Sequence, residues 1–323
     1  MSARVAAIDC GTNSIRLLIA ERDETGAMRD LERRMEIVRL GYGVDRTGRF
    51  DPAAIERTLD ACRRYRRLIE HHGAREIRFV ATSATRDASN RAEFIAGVQE
   101  ILGVTPEVIT GEEEAALSFA GAVSALRDGA DGQRLVVDIG GGSTEFVLGA
   151  QEPVYRISMN MGSVRLTERH LRSDPPTPAE VQAAVAEIDA MLDEAELTVP
   201  IAEAQVIVGV AGTVTTVTAV AEGLTEYRPD VTHGAVLPIT RSREVCEQLL
   251  HETRAERSQH AVIHPGRIDV IGAGALIWSR ILLRVQERAG LTSSVTSEHD
   301  ILDGIALRLL DAQDDSERAR GHA

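Results

Sequence analysis

The segment Ala6-Ala7-Ile8-Asp9-Cys10-Gly11-Thr12-Asn13-Ser14-Ile15-Arg16-Leu17-Leu18-Ile19 recurs later in the chain as Val136-Val137-Asp138-Ile139-Gly140-Gly141-Gly142-Ser143-Thr144-Glu145-Phe146-Val147-Leu148. Asp9, Gly11 and Ser14 align with Asp138, Gly140 and Ser143. Each copy reads as an apolar strand, a glycine-containing turn and a second apolar strand, so each predicts a β-hairpin with a polar tip. Two such hairpins predict two similar domains facing each other. The 323 residues suit two cores of about 150 residues better than one. The polar, glycine-rich run Arg127-Asp128-Gly129-Ala130-Asp131-Gly132-Gln133 is the expected boundary, giving domains over 1–126 and 133–312 with a polar tail over 313–323.

The hairpin tips have a chemical use. Backbone N–H groups in a glycine-rich turn converge on a phosphate where no Cβ stands in the way. Gly11, Thr12, Asn13 and Ser14 in one tip, and Gly140, Gly141, Gly142 and Ser143 in the other, are therefore candidate phosphate-binding residues. Asp9 and Asp138, at the strand ends, are candidates to hold a hydrated Mg²⁺, a cation that takes few carboxylates and keeps most of its waters. Every one of the 36 basic residues is an arginine. That excludes a Walker-A lysine and any Schiff-base chemistry, and leaves arginine or metal to meet phosphate charge. A formal charge of -14 speaks against nucleic-acid or anionic-membrane partners, which reward a basic face. Three scattered cysteines form neither a disulfide framework nor a zinc site. With no apolar run long enough to span a membrane and no leader layout, a cytoplasmic location is expected.

The remaining pattern alternates helix and strand, as an α/β architecture requires. Asp51-Pro52 predicts a capped helix to about His72, and Thr177-Pro178-Ala179-Glu180 a capping box opening a helix to about Glu196. Strands are expected over 77–82, 104–110 and 294–297, with a further strand from Val206 that ends in a glycine turn at Ala211-Gly212-Thr213. Helices are expected after Asp87, over 111–123, over 268–283 and over 300–310. The arginines at positions 63, 64, 66 and 67 read as a solvated helix face, and Trp278 as core.

Several strings together carry a specific resemblance: Asp9-Cys-Gly-Thr-Asn-Ser-Ile-Arg-Leu17, Thr82-Ser-Ala-Thr-Arg-Asp-Ala-Ser-Asn90, Gly111-Glu-Glu-Glu-Ala115 and Asp138-Ile-Gly-Gly-Gly-Ser-Thr-Glu145. In order and spacing they resemble the signatures of the exopolyphosphatase/guanosine pentaphosphatase family. Gly209-Val-Ala-Gly-Thr213, His264-Pro-Gly-Arg267 and Ser297-Glu-His-Asp-Ile-Leu-Asp-Gly304 resemble its later segments. The resemblance implies an α/β fold of two actin-like ATPase (ribonuclease H-like) domains with an interdomain active-site cleft. It also implies a homodimer, and the helix over 300–312 packing back onto the first domain. Glu114 matches the family's catalytic carboxylate and Arg86 its phosphate-binding arginine. Asn13 and Ser143 match residues that hydrogen-bond phosphate, and Gly212 and Thr213, in its third glycine turn, are expected to bind phosphate as well. Asp138 matches the metal-binding aspartate, with Glu145 as a second acidic group. Arg16, a further candidate phosphate-binding residue, stands where the repeat has Glu145, so the two hairpins differ in charge there. Without the resemblance, Glu112, Glu113 and Glu114 read as an ordinary acidic first turn.

The expected reaction is Mg²⁺-assisted (or Mn²⁺-assisted) hydrolysis of terminal orthophosphate from inorganic polyphosphate. Removal of the 5′ γ-phosphate of guanosine pentaphosphate is the nearest alternative. A sugar or acetate kinase and a non-catalytic sensor of guanosine polyphosphates are competing classes.

Overall fold

The computed structural model describes residues 4–126 and 132–321. Most of the expected boundary run, 127–131, lies outside the described residues. Packing divides the chain into two units, one formed by Met1–Thr110 with Ile301–Ala323 and the other by Gly111–Asp300.

Unit 1 holds β1 (Arg4–Cys10), β2 (Ser14–Arg22), β3 (Met28–Ile37), α1 (Val44–Thr47), α2 (Pro52–His72), β4 (Glu76–Ala81), α3 (Ser83–Asp87), α4 (Arg91–Leu102) and β5 (Glu107–Val108). Unit 2 begins with α5 (Gly111–Ala125), β6 (Arg134–Ile139), β7 (Thr144–Gly149), β8 (Pro153–Met159), α6 (Ser163–Arg169), α7 (Pro178–Glu196) and β9 (Val206–Val210). It continues through α8 (Ala211–Ala221), α9 (Pro229–Thr232), β10 (Val236–Pro238), α10 (Ile239–His251), α11 (Arg254–Arg257), α12 (Ile271–Ala289) and β11 (Ser293–Thr296). Then α13 (Ile301–Gly321) returns to unit 1.

The sequence repeat is a repeat of topology. The first sheet runs β3-β2-β1-β4-β5 and the second β10-β11-β9-β6-β7-β8. In each, three antiparallel strands continue into parallel ones: β1 pairs antiparallel with β2 and parallel with β4, and β6 does the same with β7 and β9. Strands β1 and β6 are buried almost throughout, as central strands covered on both faces must be. The edge strand β3 carries Arg29, Asp30, Glu32, Arg33, Arg34 and Glu36, charge that discourages pairing with another chain.

Strand alternation sends side chains to two faces. In unit 2, Leu135, Val137, Phe146 and Leu148 join one core with residues of α7, α8, α10 and α12. Val136, Val147, Val208 and Val210 meet Ala115, Phe119 and Ala122 of α5 on the other. Ala115, Phe119 and Ala122 follow helical spacing, which is why α5 belongs with this sheet rather than with the residues before it. Trp278 is 1% exposed in the first of these cores. In unit 1, α13 packs along β1 and β2, and its fully buried Asp303 pairs with Arg33 at 2.5 Å.

Local signals account for most element ends. Asp51 accepts from the N–H groups of Ala53 and Ala54, and Gly73 closes α2 in the left-handed region at φ 66. The Thr177/Glu180 capping box opens α7. Arg63, Arg64 and Arg66 lie paired along α2 with Glu56, Asp60, Glu36 and Glu70. Three expectations need correction. The strand expected over 104–110 shrinks to Glu107–Val108, because Pro106 removes a ladder donor. The turn expected at Ala211-Gly212-Thr213 is instead the first turn of α8. The polar tail expected from residue 313 is a continuation of α13 to Gly321, with Arg22 bonded to Asp311 and Asp314. Among the described residues, no helix is long and apolar enough to cross a membrane.

Candidate active site

The two tips are built alike. In each, the glycine N–H closes the turn on the serine carbonyl, Gly11 to Ser14 at 2.9 Å and Gly140 to Ser143 at 2.9 Å. Behind the first tip, the Asn13 carbonyl accepts from Val38 and Arg39, and that of Thr12 from Gly41. Gly41 permits the approach, since a Cβ there would stand 2.4 Å from Thr12 Cγ2. Arg39 adopts φ 51 to deliver its N–H.

Behind the second tip, the start of α6 takes the carbonyls. Gly140 accepts from Ser163, Gly141 from Val164 and Arg165, and Gly142 from Arg165 Nε at 2.8 Å. Gly162 is required here, because a Cβ would come within 2.4 Å of the Gly141 backbone. In both tips the carbonyls are therefore held from behind. No backbone hydrogen bond among the described residues uses the N–H of Thr12, Asn13, Gly141 or Gly142. Amides arranged in this way can receive an anion.

The hairpins differ one step back from the tip. In unit 1, Asp9 stands opposite Arg16 in the ladder and accepts from its Nε at 3.0 Å and Nη2 at 2.7 Å. Asp9, expected beside Asp138 as a metal candidate, is balanced within its own hairpin. In unit 2 the same register sets Asp138 opposite Glu145, carboxylate facing carboxylate. Glu114, from α5, adds a third. Glu145 is 1% exposed, and its carboxyl is pushed well above the usual carboxylate range by burial first, then by the charges of Glu114 and Asp138. Ser158 Oγ donates to Glu145 Oε1 at 2.7 Å, Ser143 also donates to that carboxylate, and Ser118 Oγ donates to Asp138 Oδ2 at 2.6 Å.

Of the three consecutive glutamates, Glu112 is exposed and within 4.0 Å of Arg156, whereas Glu114 is buried. Successive helical residues point about 100° apart, so only one of the three turns fully into the unit. Arg86, on α3, is half-buried in unit 1 and donates from Nη1 to the Ile109 carbonyl at 3.2 Å. Gly212 sits under Arg267: its carbonyl accepts from Arg267 Nη1 at 3.3 Å, and a Cβ would meet the guanidinium at 2.1 Å. Thr213 is buried against Gly274. Sequence reasoning missed Ser118, Ser158 and Arg165. Ser118 left one signal, standing four residues after Glu114 and so on the same helical face.

The unit 2 donor set fits a hard cation. It offers clustered carboxylate oxygens whose mutual repulsion a divalent ion relieves. Among the described residues, no three acidic, histidine or cysteine side chains close into a cage. A cation bound here would complete its shell with water and substrate oxygens, as Mg²⁺ commonly does.

Residues 18–309 match the model of the Ppx/GppA phosphatase family. The chain belongs to that family. Exopolyphosphatase 2 of Mycobacterium tuberculosis is 50% identical over 314 residues, covering 95% of this chain and 98% of that one. A crystal structure of an exopolyphosphatase-like protein shares 49% identity at a TM-score of 0.93, covering 96% and 100% of the two chains. The crystal structure of the Aquifex aeolicus Ppx/GppA family member, 31% identical, aligns at a TM-score of 0.80 over 98% of this chain and 99% of that one. The two sheets with their helices are thus the two actin-like α/β domains of Ppx/GppA proteins.

Proposed function

We propose that this protein is an exopolyphosphatase that removes terminal orthophosphate from inorganic polyphosphate by direct attack of water. The observation that carries the reading is the pair of tips with carbonyls tied back and amides unused, one of them beside a three-carboxylate cluster. The 50% identity to a protein named Exopolyphosphatase 2 supports the choice of substrate.

In this reading Glu114 orients the attacking water and takes its proton. The water oxygen bonds to the terminal phosphorus while the P–O bond to the rest of the chain breaks, and the bonding pair leaves with the shortened polymer. In unit 2 the amides of Gly141 and Gly142 would meet phosphoryl oxygens, where preorganised donors stabilise developing charge; in unit 1 the amides of Thr12 and Asn13 and the guanidinium of Arg86 offer phosphate the same kind of donor. Asp138 and Glu145 would hold Mg²⁺, or Mn²⁺ in its place. When bound, the ion neutralises phosphate charge and polarises the phosphorus toward attack. Arg16, paired with Asp9, stands one step back from the first tip, at the position where unit 2 has Glu145.

Guanosine pentaphosphate offers the same terminal phosphoanhydride and is the second substrate to test. Phosphate release is measured on polyphosphate, on guanosine pentaphosphate, and on ATP with glucose. Polyphosphate is expected to give the highest kcat/KM. Guanosine pentaphosphate in first place overturns the substrate choice, and release from none overturns the hydrolase reading. Light scattering tests the implied homodimer.

A further inference from the structure

Asp138 on β6, Glu145 on β7 and Ser158 on β8 stand at one level of the second sheet, each opposite the next in the ladder. They share a face with Val136 and Val147 by strand alternation, the face that α5 covers through Ala115, Phe119 and Ala122. Helix α5 therefore lies over the carboxylate pair. Its two polar contributions on that side are Glu114 and, one turn later, Ser118, which is 0% exposed. Gly111, at the start of the helix, lies so close to Ser158 that a Cβ would stand 2.4 Å from the serine Cβ.

A serine hydroxyl has one proton to donate. Ser118 gives it to Asp138 Oδ2 at 2.6 Å and Ser158 to Glu145 Oε1 at 2.7 Å. Both bonds have the short geometry of a hydroxyl donating to a carboxylate. Each fixes one oxygen of its acid, and with it the torsion that aims the other. Two like-charged carboxylates facing across a ladder would otherwise rotate apart.

We infer that Ser118 is a positioning residue for metal binding: its hydroxyl holds the Asp138 carboxylate in the orientation that receives the cation and locks to it the helix that carries Glu114. The inference rests on the reading of Asp138 as a metal ligand. Ser158 does the same for Glu145 from the opposite side. Outer hydrogen bonds of this kind orient metal-binding carboxylates, and losing one costs about 10–100-fold in metal affinity or activity.

The test is calorimetric titration of Mg²⁺ and Mn²⁺ into the substrate-free protein, alongside the Mg²⁺ dependence of turnover. Ser118→Ala is expected to weaken metal binding by about 10–100-fold while retaining its melting transition, with much of kcat returning at high Mg²⁺. Ser118→Thr, which keeps the hydroxyl, is expected to stay near wild type. Ser118→Ala with wild-type metal affinity, beside an Asp138→Asn that has lost it, overturns the inference and leaves the metal reading standing. Equal affinity in wild type and Asp138→Asn overturns both. Equal losses in Ser118→Thr and Ser118→Ala show a packing role and also overturn it. If Ser118→Ala fails to fold, Ser118→Cys, of similar volume but a weaker donor, takes its place with the same expected direction.

Discussion

Glu114→Gln separates chemistry from stability, because the same carboxylate is assigned to the reaction and crowds a buried neighbour. Glutamine keeps the size and hydrogen-bonding capacity of the side chain but cannot take the proton of water. Turnover should therefore fall by about 10²–10⁴ while polyphosphate still binds. The stability effect has the opposite sign. Glu145 is 1% exposed, and after burial the charge of Glu114 is the largest cause of its raised pKa. At an effective dielectric constant of about 20, like charges a few ångströms beyond contact repel by about 2 kcal/mol. For a unit of this size that corresponds to a rise of about 4–8 °C in the metal-free melting temperature.

The pH dependence follows from linkage. Above its ordinary value of 4.5, Glu145 binds its proton more tightly folded than unfolded, so stability falls as pH rises until the folded pKa is passed. Glu114→Gln lowers that folded pKa, and the fall ends sooner. The gain is thus absent below about pH 4.5 and full on the alkaline side. Phosphate release, equilibrium binding of a short polyphosphate, and melting in chelator between about pH 4 and pH 9 measure all three quantities, with Glu112→Gln as the exposed control. A metal-free melting temperature that is unchanged or lowered at alkaline pH would refute the charge-crowding argument. Binding lost in step with rate would refute the role given to Glu114.

Asp138→Asn should raise the Mg²⁺ concentration for half-maximal activity, since one formal charge leaves the proposed shell; an unchanged requirement in a Mg²⁺ titration contradicts this. Gly162→Ala forces a methyl into the Gly141 and Gly142 backbone and should cost about 1–3 kcal/mol together with most of the activity, checked by urea unfolding and phosphate release. Arg33→Ala removes the guanidinium paired with the fully buried Asp303 and should cost about 1–3 kcal/mol. Asp303→Asn should be milder, because Arg33 keeps Asp30; equal losses in urea denaturation would contradict that asymmetry.

What the sequence revealed best was whatever depends on near neighbours. Strand alternation around a short turn by itself places Arg16 and Glu145 at equivalent positions, and the ladder sets them opposite Asp9 and Asp138. The caps at Asp51 and Thr177 were equally legible, because a cap is a contact between residues two or three apart. What escaped notice depends on tertiary partners. Nothing in Gly111–Ala125 itself says which sheet it will cover; the valines of β6, β7 and β9 decide that. Ser118 and Ser158 became visible as a pair only once a helix and an edge strand were brought to the same two carboxylates. Arg267 over Gly212 joins residues 55 apart, beyond the reach of any local pattern.

The assignment of α13 to unit 1 bears on how the chain matures. The sheet of unit 1 is encoded before Thr110, but the helix that covers β1 and β2 and supplies Asp303 to Arg33 is encoded only after the whole of Gly111–Asp300. During synthesis, unit 2 is a continuous segment able to close its cores as it emerges. Unit 1 must wait, with part of β1 and β2 uncovered, for residues that leave the ribosome only after unit 2. Synthesis halted between Asp300 and Ile301 would therefore leave a finished second unit attached to an unfinished first one, and pulse proteolysis of ribosome-bound chains of increasing length would show unit 2 becoming resistant before unit 1.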